Sequence, residues 1–299
     1  MEGARPGNGF TMSDVDALRS GKGHRDENFP VASLLIHPRH RPAILAFYRF
    51  VRAADDIADN ASAQPAEKLR LLERMRASLM GRDHVPEGAQ LRTVLEERGL
   101  TSKHAEDLLE AFRRDVTKLR YKDWEDLCDY CNYSANPVGR YVLDVHGESR
   151  ALWPCNDKLC TALQIINHLQ DCGEDYRNLD RVYIPLEVLE AHNLDVSVLA
   201  LQSSPPALRD AISSLAARVS DLLKGSKRFA PGIKDMRLGL EVSVIQELAE
   251  DLTRRLKTHD PLSDRVHHRK TEALGLAALA ASGFALSRLR GRRSARAAS

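Results

Sequence analysis

Two stretches decide the fold, Arg52-Ala-Ala-Asp55-Asp56-Ile-Ala-Asp59 and Gln164-Ile-Ile-Asn167-His-Leu-Gln-Asp171-Cys-Gly-Glu-Asp175. Each contains a D-x-x-x-D, and on a helix residues four apart share one face. Asp55 thus pairs with Asp59, and Asp171 with Asp175. Both stretches run through apolar sequence: Phe47, Phe50 and Val51 flank the first, and Leu163, Ile165 and Ile166 the second. A D-x-x-x-D on an exposed helix is ordinary. Two of them, about 115 positions apart and both set in apolar helices, point instead to carboxylates turned toward a common interior.

Working outward, apolar residues recur every three or four positions along most of the 299-residue chain, which is the helix period. Strand-like alternation is scarce, so the sequence predicts one all-α domain. Helices are expected over Ala43–Ala58, Pro65–Met80, Gln90–Arg98, Ser102–Lys118, Trp124–Val145, Asp157–Asp175, Ala207–Lys224 and Arg237–His259. Gly81–Gly88, with Pro86, reads as a loop. Residues 1–27 carry no apolar stripe and read as a flexible N-terminal segment. Hydrophobic residues make up 43% of the chain, enough for a sizeable core, and the formal net charge of +2 gives no reason to expect a nucleic-acid partner.

The five cysteines read as reduced thiols of a cytoplasmic protein, since no secretory signal is visible. Cys128 and Cys131 form a C-x-x-C with no second pair to complete a zinc site. No glycine-rich dinucleotide fingerprint is present. The tail is distinct: Ala273–Leu286 is nearly all apolar, and Arg288, Arg290, Arg292, Arg293 and Arg296 follow. The run is short for a bilayer span. It reads either as a last core helix with a solvated basic end or as a segment lying on the inner face of an anionic membrane.

Paired carboxylates at helical spacing repel one another, and burial sharpens the repulsion. They call for cations. Hard oxygen ligands, few in number and with room left for water and phosphate oxygens, suit magnesium. Two such helices face to face could grip a diphosphate through metal ions. Arg52, three positions before Asp55, could pair with it or contact a phosphate oxygen. A third segment, Asp129 to Arg140, is helical in composition but holds Pro137 and Gly139, so a kink is expected. A kink facing a cavity would free backbone carbonyls, with Tyr130 adding a phenol and Asn136 an amide to the wall. Close helix packing through small residues is the competing reading.

Together these segments resemble the squalene/phytoene synthase family, from about Asn28 to Leu256. Glu27-Asn28-Phe29-Pro30-Val31-Ala32-Ser33, Arg41, Tyr48, Arg52, Asp55–Asp59, Tyr130–Gly139, Gln164–Asp175 and Arg181-Val182-Tyr183-Ile184-Pro185 follow in the family's order. The resemblance implies an isoprenoid synthase helical fold over 28–270 with a central apolar cavity, and a separate tail at 271–299. It implies magnesium held by Asp55, Asp59, Asn167, Asp171 and Asp175. It places Tyr48 and Arg52 near the diphosphate, Phe29 and Gln164 on the cavity wall, and Tyr130 near the cation chemistry; Arg181 is expected to bind substrate, and Asn136 to help place the water or steady the cation.

Within the family, Phe29–Ser33 and Ser134-Ala135-Asn136-Pro137-Val138-Gly139 are similar to the hydroxysqualene synthases of bacterial hopanoid pathways. The implied substrate is presqualene diphosphate, captured by water after ionisation. The alternative is head-to-head joining of two prenyl diphosphates such as farnesyl diphosphate, as in presqualene diphosphate, squalene or phytoene synthases. Gln170 stands where many relatives carry arginine, which argues against that alternative. A non-catalytic helical scaffold would instead show its acidic faces to solvent.

Overall fold

The computed structural model describes residues 36–297, which form helices joined by short turns, with one isolated parallel bridge between Arg120 and Val182. The helices are α1 (Arg41–Asp59), α2 (Pro65–Leu79), α3 (Pro86–Arg98), α4 (Lys103–Thr117), α5 (Trp124–Ser134), α6 (Asn136–His146), α7 (Trp153–Gln170), α8 (Cys172–Leu179), α9 (Leu186–Ala191), α10 (Pro206–Ser226), α11 (Phe229–Gly232), α12 (Met236–Leu256) and α13 (Lys270–Ala297). Proline opens several of them, where its missing N–H costs no hydrogen bond. This includes Pro86, so the segment read as a loop through Gly88 is already the first turn of α3.

Two longer expectations are corrected. Trp124–Val145 is not continuous: α5 stops at Ser134 and α6 starts at Asn136, with Ala135 between them at φ −122° and ψ −48°. Asp157–Asp175 is also divided, with Asp171 closing α7 and opening α8. In the first case Pro137 cannot donate to the preceding turn, so the ladder of hydrogen bonds breaks there.

Apolar side chains gather in two groups. One joins α1 to α4 with Tyr141 and Val145 of α6, and the other gathers around α7, α10 and α12. Helix α7 lies against α6 closely because residue 139 is glycine: a Cβ there would sit 2.0 Å from Asn156 Oδ1 and 2.7 Å from Cys160 Sγ. Helix α13 docks on α12 through Phe284, whose ring lies 2.7 Å from where a Cβ on Gly239 would sit. Ala280 and Phe284 are buried, whereas Leu274, Leu279 and Leu286 are exposed. Among the described residues, no helix is long and apolar enough to cross a membrane. The five cysteines are all free thiols.

Candidate active site

Helix α1 carries the first acidic pair in its last turns, at the edge of a buried face formed by Phe50, Ala53, Ala54 and Ile57. Arg52 reaches Asp55 Oδ2 and Asp56 Oδ1, each at 2.9 Å. This charge is not enough to settle Asp55. Burial first, then the neighbouring Asp59, push its carboxyl up to about 8, with Arg52 opposing and Asp115 and Asp56 adding to the rise. Asp59, Asp115 and Asp56 thus crowd Asp55, with Arg52 as the opposing charge. Lys68, whose Nζ donates to the Ala58 carbonyl at 3.0 Å, stands at the same helix end, with its ammonium pushed down by burial and by Arg181.

Asp59 is gripped from a distant part of the chain. Arg181 Nη1 donates to its Oδ1 at 2.6 Å, while Nη2 reaches the Ala58 carbonyl and Nε the Asp115 carbonyl, both at 3.1 Å. Arg181 follows the turn that ends α8, where Asp180 adopts φ 52°. The Asp115 carboxylate accepts from Tyr130 Oη at 2.9 Å and Tyr183 Oη at 3.0 Å. Burial raises its pKa against the pull of Arg181 and the two phenols.

The second acidic pair joins this network through His168. Its ring stacks on Tyr183 with centroids 3.5 Å apart, its Nε2 meets Gln164 Nε2 at 3.0 Å, and its Nδ1 lies 3.8 Å from Asp175 Oδ2. Although the helix breaks at Asp171, the Asp175 amide still donates to the Asp171 carbonyl at 2.8 Å, so one turn separates the two carboxylates. Tyr48, Asn167 and Asp171 are half-buried. The Arg181–Asp115–Tyr183–His168 chain therefore links Asp59 on α1 to Asp175 on α8.

Beside this network lies a cavity of about 270 Å³, between the two hydrophobic groups. Ile44 and Phe47 of α1, Leu159 and Leu163 of α7, and Leu238 and Val242 of α12 line it, with Gln164 on its wall. Tyr130 and Asn136 do not line it. The Tyr130 hydroxyl is committed to Asp115, and its ring packs with those of Tyr121 and Tyr183 at 5.2 and 5.6 Å. Asn136, 1% exposed, donates to Asn132 Oδ1 at 2.9 Å and accepts from Thr161 Oγ1 at 3.0 Å. Phe29 lies outside the described residues. Gln170 donates to the Val266 carbonyl and so ties α7 to the segment before α13.

Asp115, His168 and Tyr183 were not singled out from sequence. Asp115 had a signal: it continues the buried stripe of Ala105, Leu108, Ala111 and Phe112 on α4, where a carboxylate is out of place without a partner. Among the described residues, the one group of three His or carboxylate side chains with ligand atoms within 4.8 Å of one another is His40, His146 and Asp235. It sits at the other end of α1, roughly 22 Å from Asp55 at 1.5 Å per residue. Arg39 Nε caps His40 Nε2 there at 2.8 Å. Among the described residues, the two acidic pairs form no group that tight.

Residues 23–272 match the squalene/phytoene synthase family. The chain belongs to that family. Relatives in it include the hydroxysqualene synthase of Zymomonas mobilis, 57% identical over 89% of this chain and 91% of the relative. That of Rhodopseudomonas palustris is 56% identical over 87% and 90%. Among solved structures, the crystal structure of squalene synthase HpnC from Alicyclobacillus acidocaldarius superimposes with a TM-score of 0.69 at 29% identity, covering 82% of this chain and 92% of that one. The family's isoprenoid synthase helical fold is the one described above, and the chain is an isoprenoid enzyme.

Proposed function

We propose that this enzyme converts presqualene diphosphate and water to hydroxysqualene and diphosphate. The observation that carries the reading is the high identity, over nearly the whole chain, to relatives that make hydroxysqualene, combined with a carboxylate-rich network set against a hydrocarbon-lined cavity.

The residues fit magnesium. The set formed by Asp55, Asp59, Asn167, Asp171 and Asp175 offers only hard oxygen donors, and Asp59 lies close enough to help burial raise the carboxyl of Asp55. Magnesium bound there would neutralise the charge that develops on the departing diphosphate. Arg52 and Tyr48 orient the diphosphate from α1, and Arg181 keeps Asp59 in place. The apolar walls, with Gln164 among them, fold the prenyl chains and keep bulk water from the cation. Tyr130 is a positioning residue, buried beside the cavity, whose hydroxyl holds Asp115 in the network. Asn136 is a positioning residue that fixes the α5–α6 break.

We assign the enzyme to the cytoplasm, with α13 on the inner membrane face. The exposed Leu274, Leu279 and Leu286, together with the arginines beyond them, support contact with anionic lipid. Flotation with anionic vesicles, lost when these leucines become glutamine, tests this.

Incubation with presqualene diphosphate and Mg²⁺ without a reductant, followed by mass spectrometry, tests the chemistry. Hydroxysqualene is expected. Consumption of farnesyl diphosphate, with presqualene diphosphate left untouched, would overturn the reading in favour of a condensing enzyme.

A further inference from the structure

The cavity lining is hydrocarbon apart from Ser134, Tyr141, Asn156, Cys160, Gln164 and Glu241. Tyr141, Asn156, Cys160 and Gln164 have polar atoms engaged within the protein. Tyr141 Oη donates to the Ala43 carbonyl at 3.0 Å. The Asn156 amide donates to the Asn136 carbonyl at 3.4 Å and to Asp157 Oδ1 at 3.1 Å, and its oxygen takes the Cys160 thiol at 3.6 Å. Gln164 meets His168.

Ser134 is different. It ends α5 at the break, and its Oγ is buried with no hydrogen-bond partner. A buried hydroxyl left in that state costs about 1–3 kcal/mol, which a guest with a matching polar atom would relieve. Glu241 lies on α12 beside Leu238, Val242 and Ile245 of the lining, and it is only 6% exposed. A carboxylate on the wall of a hydrocarbon cavity is a poor surface for prenyl chains. It is a good one for a proton released there.

We propose that Ser134 and Glu241 form the capture site for the water that quenches the carbocation, a deepening that rests on the function proposed above. The C–O bond to diphosphate breaks first, and its electron pair leaves with the diphosphate. The water, held by the Ser134 hydroxyl, uses an oxygen lone pair to form the new C–O bond. The oxonium so formed loses one proton to the Glu241 carboxylate, giving the neutral alcohol and a carboxylic acid. That proton returns to solvent when the product leaves. No oxidant or reductant enters. Without this base the cation loses a proton from carbon instead and gives a hydrocarbon polyene.

The test uses the full chain with presqualene diphosphate and Mg²⁺, and reads alcohol and hydrocarbon products per diphosphate released. Glu241→Gln is expected to lower the alcohol-to-hydrocarbon ratio on the order of a hundredfold, and Ser134→Ala about tenfold, one hydrogen bond's worth. Glu241→Asp should recover part of the alcohol. An unchanged ratio in both Glu241→Gln and Ser134→Ala overturns the assignment. So does a loss of diphosphate release with the ratio held, which would place both residues in ionisation rather than capture. Ser134→Ala, one atom smaller than the native side chain, carries the test if Glu241→Gln does not fold. Should the unmodified enzyme release no diphosphate from this substrate, the proposed function fails instead, so the two failures are told apart.

Discussion

Arg181 and Asp59 meet at 2.6 Å although 122 positions separate them in the chain. The same guanidinium holds the carbonyls of Ala58 and Asp115, so one side chain locks the end of α1 to α4. Removing a buried cation from such a network leaves carboxylates uncompensated, at a cost of about 3–5 kcal/mol. Arg181→Met is therefore expected to destabilise by that amount in urea unfolding. Arg181→Lys should recover only a fraction, because an ammonium cannot reproduce the planar fork. Adding Asp59→Asn to Arg181→Met should restore part of the loss, and strict additivity of the two changes would argue against direct coupling.

Asp55 presents the opposite situation, a carboxylate whose surroundings disfavour its charge. Burial and Asp59 both raise its pKa, so in the absence of a divalent cation the folded protein is better off with residue 55 neutral. Asp55→Asn is expected to melt higher than the native protein in a chelator. Under the proposed magnesium role, the native protein should gain thermal stability when Mg²⁺ is added and the variant should gain little. A variant that melts lower in chelator and still responds fully to Mg²⁺ would remove Asp55 from the metal site.

At the far end of α1, His40 is buried, and its pKa is lowered to about 4 by that burial first, then by His146, Arg39 and Arg98, with only Asp235 opposing. Above pH 6.5 neither folded nor unfolded chain protonates it. Between pH 6.5 and 4 the unfolded chain binds a proton that the folded one refuses, so stability falls as the solution becomes more acid. The full loss from this group approaches about 3 kcal/mol by pH 4. Urea midpoints measured across this window should fall less steeply for His40→Gln. An equal slope in the two proteins would mean that the ring is protonated as readily in the folded state as in the unfolded one.

How far the sequence revealed this arrangement depends on the range of the interaction concerned. The body of α1 and its acidic face were legible, because the apolar period and the D-x-x-x-D spacing lie within one helix. The start of α3 was misread because Pro86 has two local meanings, a turn residue or a first helical residue, and packing on α1 selects the second. The interruption at Ala135 falls in the segment where Pro137 and Gly139 announce a kink, whereas the break at Asp171 has no such signal, since composition on either side stays helical. Asp115 continues the apolar stripe of α4, which marks it as buried and nothing more. What makes it central is the convergence of Tyr130, Tyr183 and Arg181 from three other segments, and no local pattern records that. The arginine-to-glutamine departure at 170 has a structural partner visible only in three dimensions, the Val266 carbonyl 96 positions away.

Asn136 separates a structural from a chemical role most sharply. Its side chain sits between Asn132 on α5 and Thr161 on α7, and its own carbonyl takes Asn156, so it pins the helix break from both sides. Replacing it with alanine leaves the Thr161 hydroxyl without its buried acceptor, a penalty of about 1–3 kcal/mol. The break carries Ser134 and Ala135 on the cavity wall, so a shift there moves the wall without touching the carboxylates. Asn136→Ala is thus expected to lower the melting temperature and to broaden the product mixture, while the Mg²⁺ concentration for half-maximal activity stays as in the native enzyme. Asn136→Asp should keep the Thr161 contact and so recover more of the native product ratio than alanine does. A changed Mg²⁺ requirement with an unchanged product ratio would place Asn136 on the diphosphate side of the site instead.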